Sequence, residues 1–216
     1  FISKMDKNGN ITSLRWIEGL SSPKGMGIIG DTLFAADVDE VVVMDINKGE
    51  IIRKIPIEGA GMLNDITTDG KGNLFISDTD RNIIHKYSGG KITEWLSEGL
   101  NGPNGLLWEE SRLLVASQGG GDFATYDLST KNRTLLAENI GRGDGIAFTG
   151  IQGYYIVTDW EGEIFMVNPD DTRVSLLRTK EAGSNTADIE YISELDLLLV
   201  PTFFKNTIAA YTLKQK

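Results

Sequence analysis

Five polar residues recur at nearly regular intervals along the chain, and their side-chain types suit the binding of a cation. They are Lys24, Asn64, Asn104, Asp144 and Asp188, separated by 40, 40, 40 and 44 residues. Asn64, Asn104 and Asp144 offer two amide oxygens and a carboxylate, a hard ligand set without nitrogen or sulfur. Ca²⁺ tolerates irregular geometry and takes about 6–8 oxygens, with water or substrate completing the shell. Asn-Gly and Asp-Gly pairs also favour turns, so spacing alone leaves a metal site and a set of turn residues equally open.

Each of these residues stands near the start of a unit of about 40 residues that repeats along the chain. A β-rich segment follows in each unit, as in residues 33–37 (LFAAD), 74–78 (LFISD) and 155–159 (YIVTD), and further β-rich segments come after it. No apolar pattern of helical period persists anywhere. Four antiparallel strands in every ~40 residues are typical of a propeller blade. The sequence therefore predicts an all-β fold of the β-propeller class.

The repeat also predicts the domain organisation, which is one β-propeller domain over residues 1–216. We expect a six-bladed type in which the N-terminal blade is incomplete and a leading segment is missing. The alternative is a five-bladed propeller in which residues 10–16 complete the last blade. The expected blades are residues 1–20 (partial), 23–59, 61–99, 103–140, 143–183 and 185–214.

The geometry of a propeller blade predicts a single pocket for these residues. The second residue of each unit would lie where the innermost strand begins, and the loop after the second strand would end on the same face. The predicted substrate pocket contains Lys24, Asp65, Gln118, Trp160 and Asp188, and Arg81, Phe203 and Phe204 are further candidates for its walls.

Composition excludes several classes of function. A formal net charge of −10 disfavours nucleic acid and anionic membrane surfaces as partners. No apolar run approaches the ~18 residues of a membrane span, so we expect a soluble protein, either cytoplasmic or periplasmic/secreted.

Cys is absent, which excludes thiol chemistry. The single histidine, His85, is expected in a third strand away from the pocket, exposed or hydrogen-bonded, so a Ser-His-Asp triad has no base.

Three segments carry a resemblance to a known family. Residues 61–66 (GMLNDI), 103–108 (PNGLLW) and 143–147 (GDGIA) resemble the regucalcin/gluconolactonase-like six-bladed propellers, and the likeness extends over essentially the whole chain. The resemblance implies a catalytic divalent cation, commonly Ca²⁺, bound by Asn64, Asn104 and Asp144. In that family a glutamate on the first inner strand is the fourth ligand, and here it would have to lie upstream of Phe1.

Two functions from different classes follow. The first is a metal-dependent hydrolase of small esters or lactones, with Ca²⁺ or alternatively Mg²⁺, Mn²⁺ or Zn²⁺, and with Asp144 as general base or nucleophile. Lys24 would offset negative charge or bind the substrate, or simply point into solvent. The second is a propeller scaffold that binds a small ligand or a protein without chemistry. Either function implies a small-molecule or protein partner, and the oligomeric state is left open.

Overall fold

The computed structural model describes residues 1–170 and 172–213. The described residues form strands throughout, interrupted by three 3-10 turns at Lys180–Ala182, Ser193–Leu195 and Phe203–Lys205, and they contain no α-helix. The strands are β1 (Ile2–Met5), β2 (Ile11–Ile17), β3 (Pro23–Ile29), β4 (Thr32–Asp37), β5 (Glu40–Asp45), β6 (Glu50–Pro56), β7 (Leu63–Thr68), β8 (Leu74–Asp78), β9 (Ile83–Ser88), β10 (Lys91–Leu96), β11 (Pro103–Glu109), β12 (Arg112–Ser117), β13 (Phe123–Asp127), β14 (Arg133–Ala137), β15 (Gly143–Phe148), β16 (Tyr155–Asp159), β17 (Glu163–Val167), β18 (Arg173–Arg178), β19 (Glu190–Ile192), β20 (Leu197–Pro201) and β21 (Ile208–Tyr211).

Each blade is an antiparallel meander in which consecutive strands are neighbours. The four-stranded sheets are β3–β6, β7–β10, β11–β14 and β15–β18; β19–β21 form a three-stranded sheet, and β1 and β2 form a separate hairpin. The fold is a β-propeller, which confirms the predicted class, and its five blade sheets match the five-bladed alternative. The predicted blade limit at residue 214 lies outside the described residues.

The chain divides into two compact units, Phe1–Leu96 and Ser97–Lys216. In the first unit, two apolar clusters hold the sheets together. Phe34 and Val43 of sheet β3–β6 pack with Leu74 and Ile76 of sheet β7–β10. Ile17 and its neighbours in the β1–β2 hairpin pack on the opposite face of sheet β3–β6. The hairpin is therefore stabilised by face packing on a blade.

The second unit repeats this arrangement. Leu114 and Phe123 of sheet β11–β14 pack with Tyr155 and Val157 of sheet β15–β18, and the rings of Phe123 and Tyr155 meet edge to face at 5.6 Å. A further cluster joins sheet β15–β18 to sheet β19–β21. The central strands β16 and β17 carry buried apolar residues at consecutive positions, so both faces of sheet β15–β18 are buried against neighbours. That a single domain spans residues 1–216 stays a prediction.

Candidate functional site

The residues that recur at 40-residue intervals lie at the starts of the first strands of the blades. Lys24 and Asn64 are the second residues of β3 and β7 in the first unit, and Asn104 and Asp144 are the second residues of β11 and β15 in the second. Asp188 precedes its strand, because β19 begins only at Glu190. The aligned motifs therefore coincide with the starts of β3, β7, β11 and β15, although the second blade was predicted to start at residue 61, two residues before β7. The first strand of the last blade begins three residues later than its aligned motif at Ala187.

The glycine that follows Asn104 and Asp144 permits close approach between strands. A Cβ at Gly105 would lie 1.7 Å from the carbonyl oxygen of Asp144, and a Cβ at Gly145 would lie 2.5 Å from the amide nitrogen of Ile189. The first unit has the equivalent contact, because a Cβ at Gly25 would lie 2.1 Å from Oδ1 of Asp65. These glycines lie inside strands, so the interpretation of the Asn-Gly and Asp-Gly pairs as turns is wrong.

Asn104 and Asp144 are buried side by side in the second unit. Their side chains lie on adjacent first strands, and the two residues are only 4% and 9% exposed. Burial, followed by the negative charge of Asp188, raises the pKa of Asp144 to about 8; Arg142 opposes this shift and Asp159 adds to it. Without a compensating positive charge, the Asp144 carboxyl is therefore mostly protonated at neutral pH.

Two threonines that the sequence did not single out fix the start of β15. Thr158 Oγ1 accepts a hydrogen bond from the amide of Gly145 (2.8 Å) and donates one to the carbonyl of Ala187 (3.2 Å). Thr186 Oγ1 donates to the carbonyl of Asp159 at 2.6 Å. These bonds join the beginning of β15 to the segment that carries Asp188. The sequence places Thr158 near the end of a second strand, which was the available signal. Its hydrogen-bond partner Ala187 lies about 30 residues away in the chain, so the bond could not be predicted.

In the first unit, Asn64 and Asp65 are held by the second strand of their own blade. Asn64 Nδ2 donates to Thr79 Oγ1 at 3.1 Å, and the amide of Asp65 donates to Ser77 Oγ at 2.8 Å. The buried Asp65 carboxylate accepts the next backbone amide, that of Ile66, at 2.7 Å. Lys24 is half-buried on β3. Their roles in a metal site or a substrate pocket stay predictions.

The aspartates that end the second strands have a structural role. Asp37 accepts hydrogen bonds from the amide of Ser21, Asp78 from the amides of Gly61 and Met62, and Asp159 from the amide of Arg142. In each case the donors lie just before the first strand of the same blade. The repeated Asp therefore fixes the loop by which the chain enters the blade, since buried backbone N–H groups require acceptors.

Three aromatic rings cluster in the loops of the second unit. Trp160 follows β16, and Phe203 and Phe204 follow β20. The ring centroids are 5.6 Å apart for Trp160–Phe203, 6.0 Å for Trp160–Phe204 and 4.7 Å for Phe203–Phe204, all edge to face. The Arg142 guanidinium lies 4.8 Å from the Trp160 ring centroid, and its charge also acts on Asp144. The Trp160 amide also donates to the Arg142 carbonyl at 2.8 Å, so the aromatic cluster lies beside the start of β15, which carries Asp144.

The remaining predicted wall residues make backbone contacts. The Gln118 amide donates to the carbonyl of Gly102 at 2.7 Å, and Gln118 is half-buried. In the first unit the amide of Arg81 donates to Asp78 at 3.3 Å, and Arg81 is exposed. Both residues follow the second strand of their blade as predicted, and contact with a substrate stays a prediction for each.

His85 departs from its expected surroundings. It lies in β9, a third strand, as predicted, but it is only 8% exposed. Its Nε2 atom has no hydrogen-bond partner among the described residues and lies 3.6 Å from Oδ2 of the fully buried Asp78. The expectation of an exposed histidine is therefore wrong, and the Nε2 atom does not make the expected hydrogen bond. His85 lies on the same face of sheet β7–β10 as Leu74 and Ile76. That face packs on sheet β3–β6, and this packing buries His85.

Within residues 1–170 and 172–213, no group of three or more His, Cys, Asp or Glu side chains is arranged to hold a metal ion. The helices of the described segments include none that is long and apolar enough to cross a membrane.

Solved structures that resemble the chain are β-propellers, and they include an enzyme. A crystal structure of a nidogen/laminin complex has a TM-score of 0.76 and 17% identity, over 88% of this chain and 76% of that chain. Selenomethionine-substituted virginiamycin B lyase from Staphylococcus aureus has a TM-score of 0.65 and 12% identity, over 89% and 70% of the two chains. A catalytically inactive variant of that lyase with quinupristin has a TM-score of 0.63 and 12% identity, over 90% and 71%.

At these identities the likeness shows the fold alone. No protein-family model matches the chain, and no curated protein matches it either. Membership of the regucalcin/gluconolactonase-like group therefore stays a prediction from the sequence.

Proposed function

We propose that this chain belongs to a divalent-cation-dependent hydrolase of small esters or lactones, with Ca²⁺ as the preferred cation. The observation that carries the proposal is the burial of Asn104 and Asp144 side by side at the starts of β11 and β15. An ionised carboxylate buried like that of Asp144 is costly unless a positive charge compensates it. Asp188 adds a second carboxylate whose charge reaches Asp144.

The donor set of the second unit fits a hard cation. Asn104, Asp144 and Asp188 offer oxygen ligands, and the negative charge of the half-buried Asp188 disfavours ionisation of the buried Asp144 unless a positive charge compensates it. Ca²⁺, Mg²⁺ and Mn²⁺ share the preference for oxygen, whereas Zn²⁺ usually takes nitrogen and sulfur ligands as well. Asn64 belongs to the other unit, and its part in the ligand set stays a prediction from the sequence.

In the proposed reaction, the cation and the residues of this chain would have separate roles. When bound, Ca²⁺ supplies Lewis-acid polarisation of a carbonyl oxygen. The second unit contains no histidine, and the proposal assigns the role of base to a carboxylate. Asp144 would accept a proton from water or attack the acyl carbon itself, and both roles remain open. Arg142 lowers the pKa of Asp144 and so favours its carboxylate form.

A ligand-binding scaffold without chemistry is the second candidate. The exposed rings of Phe203 and Phe204 favour it, because such rings bind ligands whether or not a reaction follows.

A panel of lactones and esters distinguishes the two candidates. Protein freed of metal with a chelator is assayed with and without added Ca²⁺, as wild type and as Asp144→Asn. The proposal predicts Ca²⁺-dependent hydrolysis that Asp144→Asn reduces by about 10²–10⁴-fold. The control Asp127→Asn alters an exposed turn on β13 and should retain activity. A hydrolysis rate that is the same with and without Ca²⁺, or that Asp144→Asn does not reduce, would overturn the proposal. Binding without hydrolysis would favour the scaffold.

A further inference from the structure

The aromatic cluster formed by Trp160, Phe203 and Phe204 is unusually exposed for residues of this type. Phe203 is 52% and Phe204 is 71% exposed, although each ring is in edge-to-face contact with the other two members of the cluster. Aromatic residues of this size are ordinarily buried, and those left on a surface are enriched where ligands or partners bind.

The loops hold these rings in a fixed arrangement. The carbonyl of Trp160 accepts hydrogen bonds from Asn185 Nδ2 (2.9 Å) and from the amide of Thr186 (3.4 Å). Lys205 Nζ donates to the carbonyl of Ala182 at 2.7 Å, which ties the 3-10 turn of the two phenylalanines to the neighbouring loop. The exposed rings are therefore pre-organised for a ligand.

Phe203 is also held in an unfavourable backbone conformation. Its φ is +50°, in the left-handed region that residues with a Cβ rarely adopt. Such conformations persist where the surrounding contacts impose them, and they concentrate at ligand-binding loops. In this conformation the Phe203 ring contacts those of both Trp160 and Phe204.

The size of the cluster and its neighbours favour a small ligand. Three rings of about 150–250 Å² each, partly buried against one another, offer less than the ~800 Å² that one partner contributes to a standard protein interface. Arg142 contacts the Trp160 ring, its carbonyl accepts the Trp160 amide at 2.8 Å, and the next residue, Gly143, pairs with Asp159, so the cluster lies beside the start of β15, which carries Asp144. A substrate whose carbonyl group reaches Asp144 would place its remaining atoms near these rings.

We infer that the hydrolase prefers substrates with an aryl group, which Phe203, Phe204 and Trp160 bind while the ester or lactone carbonyl faces Asp144. The inference rests on the proposed function for the reaction, but the binding of the aryl group is measurable without turnover. Edge-to-face and stacked contacts select a flat ring over a short aliphatic group of the same polarity.

The binding experiment uses non-hydrolysable probes with the full chain. Phenylacetamide and acetamide are titrated and followed by NMR. Wild type should bind phenylacetamide at least tenfold more tightly than acetamide, and Phe204→Ala should abolish that preference. Phe204 is the most exposed ring, so its removal leaves the core unchanged. Phe148→Ala is the matched control, because Phe148 is a 40% exposed phenylalanine at the far end of β15, and it should leave the preference intact.

The kinetic experiment compares methyl phenylacetate with methyl acetate in the presence of Ca²⁺. The inference predicts a higher kcat/KM for the aryl ester, lost in Phe204→Ala mainly through KM. If the aryl probe binds in a Phe204-dependent manner but neither ester is hydrolysed, the aryl-binding site is supported and the proposed hydrolase function is contradicted. Hydrolysis with equal preference in wild type and Phe204→Ala would uphold the hydrolase and overturn the aryl site. Sedimentation with phosphatidylcholine vesicles, or concentration-dependent self-association, that is lost in Phe204→Ala would also overturn it.

Discussion

Gly105 of β11 lies directly against the backbone of Asp144 on β15. A Cβ at position 105 would fall 1.7 Å from the Asp144 carbonyl oxygen, so no other residue fits there without moving a strand. Since Asn104 and Asp144 occupy equivalent positions on the two strands, this contact sets the separation of their backbones. The recurrent glycine therefore supports the candidate site although it offers no functional group.

Gly105→Ala should destabilise the protein by about 1–3 kcal/mol or more, because backbone cannot move aside as a flexible side chain can. Equilibrium unfolding in urea measures the free-energy change. The matched control is Gly27→Ala on β3, where the new methyl group would meet side-chain methyl groups of Thr68 and Ile66. We expect a smaller loss there. An equal or smaller loss for Gly105→Ala would contradict the close approach of β11 and β15.

The contribution of Asp144 to the stability of the metal-free protein should fall as the pH rises from about 4 to about 8. The pKa of Asp144 is about 8 in the folded chain and that of an exposed Asp is about 3.9, so between these values the unfolded chain is ionised while the folded chain keeps its proton. Asp144→Asn removes the titrating group and should raise the Tm of metal-free protein at pH 8 relative to wild type, with little difference at pH 4.

The control for this pH dependence is Asp127→Asn. Hydrogen bonds from the Thr130 backbone and then its hydroxyl lower the pKa of Asp127, so its ionised form stabilises the fold above about pH 4. Asp127→Asn should therefore lower the Tm at pH 8. Thermal melts of the two variants and wild type at pH 4, 6 and 8 would show opposite signs. A Tm change of the same sign in both would argue against a protonated Asp144.

His85 should give a second, separate pH dependence. Burial lowers its pKa from the ordinary value of about 6.5, although Asp78 and then Glu94 partly oppose the shift. The unfolded chain therefore gains a proton before the folded chain does, and stability should decrease as the pH falls through about 6.5. Because His85 is the only histidine, the NMR titration of one imidazole resonance measures its pKa directly, and His85→Leu should flatten the stability profile in this range. A measured pKa above 6.5 would contradict the account.

The fold was largely predictable because each blade repeats the same local pattern. Strand alternation and turn residues located β3, β7, β11 and β15 at the positions that the sequence motif gave them. The last blade was placed less well, since β19 begins at Glu190 and Asp188 lies in the segment before it.

The roles of individual residues were less predictable, because they depend on neighbours far apart in the chain. A recurring glycine fits both a turn and a close approach, and only the contact of Gly105 with Asp144 distinguishes them. The burial of His85 depends on a neighbouring blade in the same way. Trp160 and Phe203 were predicted as wall residues, but their ring contact across 43 residues of chain and the link through Arg142 needed coordinates.

Calorimetric titration of chelator-treated protein with Ca²⁺ tests the proposed cation site most directly. Wild type should bind one Ca²⁺ per chain. Asp144→Ala should remove most of the affinity, because a carboxylate carries a full charge, and Asn104→Ala should weaken binding less, because an amide oxygen carries only a dipole. Asp127→Ala, in the exposed turn after β13, should bind as wild type does. Saturable binding with the same affinity in wild type and Asp144→Ala, or no binding to wild type at millimolar Ca²⁺, would contradict the account.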